Sequence, residues 1–80
     1  MFTLQPNPAQ TTVALNWINF TPNATSNIIL YNSQGVVVKQ EKKLENETLQ
    51  LEVEGLPSGL YFVYLVHNGE LTSIEKLIVQ

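Results

Sequence analysis

The chain has 80 residues, of which 44% are hydrophobic, and a formal net charge of −3 from seven acidic and four basic side chains. This length gives one domain with no room for a deep cleft between subdomains, and this composition is that of a folded protein. The bases are all Lys and the acids all Glu. This acidic balance argues against a nucleic-acid partner, because phosphate binding needs clustered Lys and Arg.

The sequence contains no cysteine and no candidate membrane-spanning segment. Without cysteine there is neither a disulfide nor a thiolate metal site. The longest apolar run, residues 60–66, is much shorter than the roughly 18 residues of a membrane helix. The opening MFTLQPNPAQ lacks the basic start and apolar core of a signal peptide. We therefore predict no transmembrane segment, and the chain either stays inside the cell or is a piece of a longer protein.

Short β-forming runs separated by turns recur along the chain. The predicted strands are, in order, TTVALNWI at 11–18, SNIILY at 26–31, VVVKQ at 36–40, TLQLEVE at 48–54, LYFVYLVH at 60–67 and LTSIEKLIV at 71–79. The predicted turns are TPN at 21–23, NSQG at 32–35, GLPSG at 55–59 and NG at 68–69, and the charged EKKLENE at 41–47 is a polar connection. Asn-Gly is the strongest two-residue hairpin sequence, since a type I′ turn requires positive φ at both central positions.

Alternation of apolar and polar residues orients these strands. The predicted inward-facing residues are Val13, Leu15 and Trp17 in the first strand and Leu49, Leu51 and Val53 in the fourth. Strands spaced roughly ten residues apart, with polar turns between them, are typical of small two-sheet proteins. The sequence therefore predicts an all-β fold, a small antiparallel β-sandwich of six to seven strands of the immunoglobulin/fibronectin-like type.

The last predicted strand changes phase along its length. Leu77 and Val79 share one face, and Ile74, Lys76 and Ile78 share the other. An earlier apolar residue of this strand, Leu71, is in phase with Leu77 although Ile74 is not. We therefore predict a β-bulge near residues 73–75.

The run LYFVYL at 60–65 is apolar on both faces. If Tyr61, Val63 and Leu65 fill the core, then Phe62 and Tyr64 lie outside, where two aromatic side chains are each able to bury about 150–250 Å². Two explanations remain open at this point. The outer aromatics are covered by the chain's own loops or by whatever precedes this domain, or they form a surface for a partner.

Catalytic and metal-binding patterns are weak. The single histidine, His67, lies at a strand end beside the Asn-Gly turn, with no Asp to orient it as a base, and we expect it to face solvent. Glu52 and Glu54 are two residues apart on the predicted wet face of a strand, which favours solvated side chains over a hydrolytic pair. The sequence has no HExxH motif, Cys/His cluster or Asp-rich loop. We predict no enzyme activity, no metal and no cofactor.

Four motifs in a fixed order resemble a known family. They are PNP near the start, LYNSQG in the middle, LPSGLY at 56–61 and the terminal KLIVQ. Together they are similar, over nearly the whole chain, to the type A C-terminal sorting domains of cargo proteins of the type IX (Por) secretion system of Bacteroidota. PNP or KLIV alone is weak evidence, whereas all four in this order over about 75 residues are specific.

The resemblance assigns family positions to individual residues. By similarity, a stiff extended segment leading into the first strand is formed by Pro6, Asn7 and Pro8, and a turn motif includes Leu30, Tyr31 and Gly35. The L-P-x-G-x-Y signature is formed by Leu56, Pro57, Gly59 and Tyr61. What we call the terminal segment consists of Lys76, Leu77, Ile78, Val79 and Gln80. Asn32 stands where the family commonly has Asp, and Ser33 where it has an apolar residue, so we expect a looser turn. At the position of Tyr64 the family often has a basic residue.

The resemblance implies a folded secretion signal. Such a domain, residues 1–80 here, is excised from a larger secreted protein and directs its N-terminal cargo through the periplasm and across the outer membrane, to the cell surface or the medium. It implies recognition by the outer-membrane secretion machinery and cleavage by a sortase-like peptidase, near or upstream of residues 1–8. We expect the machinery to read Phe62, Tyr64 and the terminal segment, with strand addition at the sheet edge as a further contribution.

Two other functions fit a β-sandwich. A carbohydrate- or protein-binding module at the end of a surface protein would need an aromatic platform, and the other candidates for it are Trp17, which is in phase with the core, and Phe20. A structural spacer would change stability but not destination when removed. Neither explains why the motifs continue to the last residue.

Overall fold

The structure is a computed structural model and describes residues 2–18, 26–42 and 48–80. Within these ranges the strands are β1 (Phe2–Gln5), β2 (Thr12–Trp17), β3 (Ser26–Asn32), β4 (Val37–Lys42), β5 (Thr48–Glu52), β6 (Gly59–His67) and β7 (Glu70–Val79). They form two antiparallel sheets with strand orders β1-β2-β5 and β4-β3-β6-β7. This confirms the predicted immunoglobulin/fibronectin-like sandwich.

The core lies between the two sheets and is built from alternate residues of each strand. The buried hydrophobic residues are Phe2, Ala9, Val13, Leu15, Ile28, Leu30, Leu51, Val53, Tyr61, Val63, Leu65, Leu77 and Val79. The predicted inward residues of β2, β5 and β6 are thus confirmed, with Leu49 and Trp17 half-buried against this cluster. The Trp17 ring packs edge-on against Phe2, with 6.2 Å between the ring centroids.

Strand β1 was not predicted. It has only four residues, FTLQ, which is too short for alternation to distinguish a strand from a loop. Its presence changes the role expected of Pro6, Asn7 and Pro8. They connect β1 to β2 rather than leading into the first strand, and the peptide bonds before both prolines are cis.

Two predicted boundaries shift by two residues because the backbone finds other partners, and the others shift by at most one. Strand β4 continues to Lys42 through pairing with β3, into the predicted polar connection. Strand β5 ends at Glu52, since the next two backbone N–H groups, of Val53 and Glu54, both donate to the carbonyl of Thr11. The rest of the polar connection and the turn at 21–23 lie outside the described residues.

The bulge in β7 lies one residue before the predicted position. Leu65 pairs with Ser73 while Val66 pairs with Leu71, so Thr72 is the extra residue. From Ile74 onwards the strand alternates regularly, with Ile74 exposed and Leu77 buried. A second irregularity, which was not predicted, places Val38 between the residues that pair with Leu30 and Tyr31.

The two turns that flank β6 lie at the predicted positions, and the Asn68-Gly69 turn also has the predicted chemistry. Asn68 and Gly69 have φ values of 53° and 78°, as a type I′ turn requires. At the other end, the Tyr61 hydroxyl donates a 2.6 Å hydrogen bond to the Pro57 carbonyl. This is a tyrosine corner, the device that fixes the start of the equivalent strand in immunoglobulin-like sandwiches. It gives the LPSGLY motif a structural role, since the Tyr61 ring is in the core while its hydroxyl holds the turn.

We predict that Tyr61→Phe lowers the free energy of unfolding by about 1–2 kcal/mol, because it leaves the Pro57 carbonyl without its donor. The melting temperature should fall by roughly 5–10 °C. Tyr64→Phe is the matched control, since the Tyr64 hydroxyl has no hydrogen-bond partner among the described residues, and it should change the unfolding free energy by less than about 0.5 kcal/mol. Equal effects of the two substitutions in thermal unfolding would contradict the tyrosine-corner assignment.

Candidate functional site: the outer face and C-terminal end of the four-stranded sheet

The outer faces of the two sheets differ in polarity. The outward residues of β1, β2 and β5 are Thr3, Gln5, Thr12, Ala14, Asn16, Gln50 and Glu52, all polar except one. The outward residues of the four-stranded sheet include Ile29, Tyr31, Val37, Leu60, Phe62, Tyr64, Val66, Ile74 and Ile78. We call this second set the apolar face. Contiguous apolar surface of this kind marks interaction sites more often than scattered exposed side chains do.

Aromatic rings occupy the middle of the apolar face. Tyr31 and Tyr64 lie with ring centroids 4.6 Å apart, and Phe62 pairs in register with Tyr31 on one side and Lys76 on the other. A shallow cavity of about 430 Å³ opens beside them, lined by Tyr31, Asn32, Ser33, Gly35, Phe62 and Tyr64.

The cover over this face is incomplete. Neighbouring side chains half-bury the aromatic rings of Phe62 and Tyr64. The aliphatic residues towards β7 are more open, with Leu60, Ile74 and Ile78 exposed by 37%, 45% and 44%. The part of the chain that the structure describes therefore covers the outer aromatics only partly.

The terminal segment divides between core and surface. Leu77 and Val79 are 0% and 2% exposed, so they pack between the sheets. Lys76, Ile78 and Gln80 are exposed. In a folded domain, only these last three side chains of the five are accessible to a receptor.

The Pro-Asn-Pro segment is bound to the edge of β7. The side-chain amide of Asn7 donates to the Lys76 carbonyl at 2.8 Å, and its oxygen accepts from the Ile78 N–H at 3.0 Å. Ala9 then accepts from the Gln80 N–H and donates to the Ile78 carbonyl, both at 2.8 Å. Residues 7–9 therefore cover the part of the edge at which strand addition was expected, a contact that no sequence pattern indicated.

The turn between β3 and β4 was expected to be loose, but hydrogen bonds hold it. The Asn32 side-chain oxygen accepts hydrogen bonds from the N–H groups of Gln34 and Val36, at 2.9 and 3.0 Å. An amide oxygen accepts these bonds as a carboxylate would, so Asn serves where the family commonly has Asp. Gly35 has φ +82°, a conformation that a side chain would strain.

The four motifs meet at one end of the sandwich. Pairing of Gly59 with Val79 brings the LPSG turn beside the C-terminus, and Ala9 bridges to Val79 from the other side. The turn at 32–35 completes this end, because a shallow cavity is lined jointly by residues 32–34 and 57–61. Four segments that are far apart in sequence thus form one continuous surface, which we call the motif end.

Comparison with known proteins decides what this arrangement is. The model of the family described as "Secretion system C-terminal sorting domain" matches residues 3–80. The chain belongs to this family of sorting domains. As a type IX secretion signal, such a domain directs proteins to the cell surface or out of the cell.

Two relatives are much longer than this sorting domain. It is 42% identical over 79 residues to Beta-agarase A of Zobellia galactanivorans, covering 96% of the chain and 13% of the relative. It is 34% identical over 85 residues to Karilysin of Tannerella forsythia, covering 96% of the chain and 18% of that protein. The domain thus spans less than a fifth of the length of either relative.

The fold of the sorting domain also matches a solved structure. PorZ, an essential bacterial surface component of the type-IX secretion system of Porphyromonas gingivalis, aligns with a TM-score of 0.77 and 13% identity. The match covers 99% of the sorting domain and 11% of PorZ. At this identity the likeness concerns the fold.

Other candidate residues of the sorting domain do not form a site. His67 is half-buried rather than solvent-facing, and its Nδ1 lies 2.9 Å from the hydroxyl of the buried Ser26. Glu52 and Glu54 are exposed, as expected. Among residues 2–18, 26–42 and 48–80, no group of three acidic, His or Cys side chains is placed to hold a metal ion.

Two further findings concern membranes and glycans. No helix in the described ranges is long and apolar enough to cross a membrane. Trp17 lies at the margin of the core, so it does not extend an aromatic platform, and Phe20 lies outside the described residues.

Neighbouring positions of β7 should respond very differently to truncation. Leu77→Ala should lower the free energy of unfolding by about 2–5 kcal/mol, because it opens a cavity in the core. Ile78→Ala, on the apolar face, should cost about 1 kcal/mol or less. Urea unfolding of both variants measures the difference. Similar losses at the two positions would contradict the alternation described for this strand.

Proposed function

We propose that the outer-membrane secretion machinery binds this sorting domain through the apolar face and the exposed residues of the terminal segment, Lys76, Ile78 and Gln80. A sortase-like peptidase then separates the domain from the cargo that precedes it. Secretion through the type IX system follows from the family; the surface that is read and the cleavage step are our inference.

The observation that carries the proposal is the contrast between the two outer faces. One sheet presents polar side chains, as a solvated surface should. The other presents mainly aromatic and aliphatic ones, with Asn27, Gln40 and Lys76 among them. The terminal segment belongs to the apolar face, since Ile78 pairs with Leu60 and Lys76 with Phe62. A receptor that binds this face would therefore contact the terminal residues at the same time.

Lys76 gives this surface a charged position that would fix the orientation of a bound partner. Its side chain projects from the same face as Phe62, its partner in register, and it is the one charged residue of the motif KLIV. An apolar patch with a positive charge beside Phe62 fits a partner that has an apolar groove and a negative group at the matching position.

Leu77 and Val79 have a different role in this proposal. Because both are in the core, they fix the strand that presents Lys76 and Ile78. Deletion of the buried pair, or polar side chains at both positions, would unfold a domain whose total stability is roughly 4–12 kcal/mol for its size. Loss of export after such changes would not identify the receptor surface, so the exposed residues must be tested instead.

The cut is expected N-terminal to β1. Phe2 is 3% exposed within β1, and all four residues of β1 pair with β2. Peptidases cleave exposed, flexible chain rather than paired strands. Mass spectrometry of the exported cargo should therefore find no residue from Phe2 onwards, and a C-terminus inside residues 2–9 would refute this placement.

The recognition proposal is tested with residues 2–80 fused to a periplasm-directed fluorescent protein in a host that has a type IX system. The double variant Ile74→Thr, Ile78→Thr makes the apolar face more polar while keeping β-branched side chains in the strand. Reporter in the medium or on the surface should fall on the order of tenfold, as expected when about 1.4 kcal/mol of binding is lost.

The matched control changes the other sheet. Gln50→Thr and Glu52→Thr place the same residue type on the polar face, two positions apart, and should leave export unchanged. Circular dichroism of the isolated domains checks that both doubles remain folded. Normal export of the folded Ile74/Ile78 variant would show that the machinery does not read the apolar face.

A further inference from the structure

The outer edge of β7 is bonded at its end to another segment of the chain. In an antiparallel strand, the backbone groups of alternate residues point to opposite edges. Those of Leu77 and Val79 point towards β6, in register with Tyr61 and Gly59. Those of Lys76, Ile78 and Gln80 point away from β6. Residues 7–9 bond to the Lys76 carbonyl, to both backbone groups of Ile78 and to the Gln80 N–H.

Residues 7–9 imitate a short parallel strand. Asn7 uses its side-chain amide as a peptide group, with one donor to the Lys76 carbonyl and one acceptor for the Ile78 N–H. Ala9 forms a parallel bridge with Val79. The site therefore already shows which kind of ligand it accepts, namely an extended polypeptide segment aligned with β7.

This intramolecular cover is minimal. It consists of three residues, and two of its four hydrogen bonds come from one side chain. Among the described residues, the hydrogen bonds from residues 7–9 reach only residues 76–80, whereas β7 begins at Glu70. A longer extended segment would satisfy the same groups and additional ones, so exchange for such a segment is favourable in hydrogen bonding.

We propose that residues 7–9 are a removable cap on the edge of β7, and that an extended segment of the secretion machinery replaces them by pairing with residues 76–80. This inference rests on the proposed function, because it names how the partner engages the terminal segment. It assigns the PNP motif a role: the cap protects an edge that would otherwise pair non-specifically before export.

Hydrogen exchange tests the cap in the isolated domain, without any partner. Asn7→Ala removes the acceptor of the Ile78 N–H, so exchange of the Ile78 and Gln80 amides should accelerate on the order of tenfold. The amides of Leu77 and Val79, which point towards β6, should stay within about twofold of wild type. The control is Gln10→Ala, since the exposed Gln10 side chain has no hydrogen-bond partner among the described residues. Unchanged exchange at Ile78 in Asn7→Ala would overturn the cap assignment.

A disulfide tests whether the cap must leave. Ala9 and Val79 are bridge partners, and neighbouring strands lie about 4.8 Å apart, which is within the Cα–Cα range of a disulfide. The chain has no cysteine of its own. The double variant Ala9→Cys, Val79→Cys, fused to the fluorescent reporter, should form this bond in the periplasm and reduce export on the order of tenfold, with recovery when a thiol reductant is added. A disulfide between Thr3→Cys and Asn16→Cys, which are paired on the polar face, controls for cross-linking as such and should export normally.

The outcomes separate this inference from the one on which it rests. Export of the oxidised Ala9/Val79 variant at the wild-type level, together with a defect in the Ile74/Ile78 variant, would refute the removable cap but leave recognition of the apolar face intact. Normal export of both variants would refute both proposals. Export of the Ala9/Val79 variant that depends on added reductant is by itself sufficient to support the cap.

Discussion

The fold depends on how the last strand is held along both edges and on one face. Strand β7 pairs with β6 from Gly59 to His67, its end is bonded to residues 7–9, and Leu77 and Val79 fill the core. Without these contacts the terminal residues of an 80-residue chain would fray, as chain ends do. With them, Lys76 and Ile78 are presented on a rigid surface. A secretion signal at the end of the chain thus becomes part of a folded domain.

The apolar face makes unwanted association more favourable, which is a disadvantage for a domain with a purely structural role. Exposed Leu60, Ile74 and Ile78 favour association with other proteins, and unpaired strand edges do the same. The opposite sheet shows that the sequence is able to build a polar outer face on the same fold. This difference underlies our proposal that the apolar face binds a partner during secretion while the other face stays in water.

Much of the fold could be predicted because it depends on local patterns. The alternation in β2 and β5 and the Asn68-Gly69 turn follow from residue period and turn chemistry. The burial of Leu77 and Val79 was not expected, because the terminal segment as a whole was expected to face the machinery. Strand β1 could not be predicted, since four residues carry too little pattern. The bond between Asn7 and β7 spans 69 to 71 positions in sequence, so no local rule detects it. The sequence did indicate the apolar face, since Ile29, Tyr31, Phe62 and Tyr64 make their strands apolar on both sides. Only the strand register showed that these residues lie next to one another.

Site-specific photo-cross-linking in secreting cells tests the central claim most directly, because it reports contact without depending on the strength of any one side chain. A photoreactive residue is placed at Ile78 of the reporter fusion and, in parallel, at Glu52 on the polar face. The account predicts cross-links from position 78 to an outer-membrane component of the secretion machinery and none from position 52. Cross-links from position 52 with none from position 78 would contradict it.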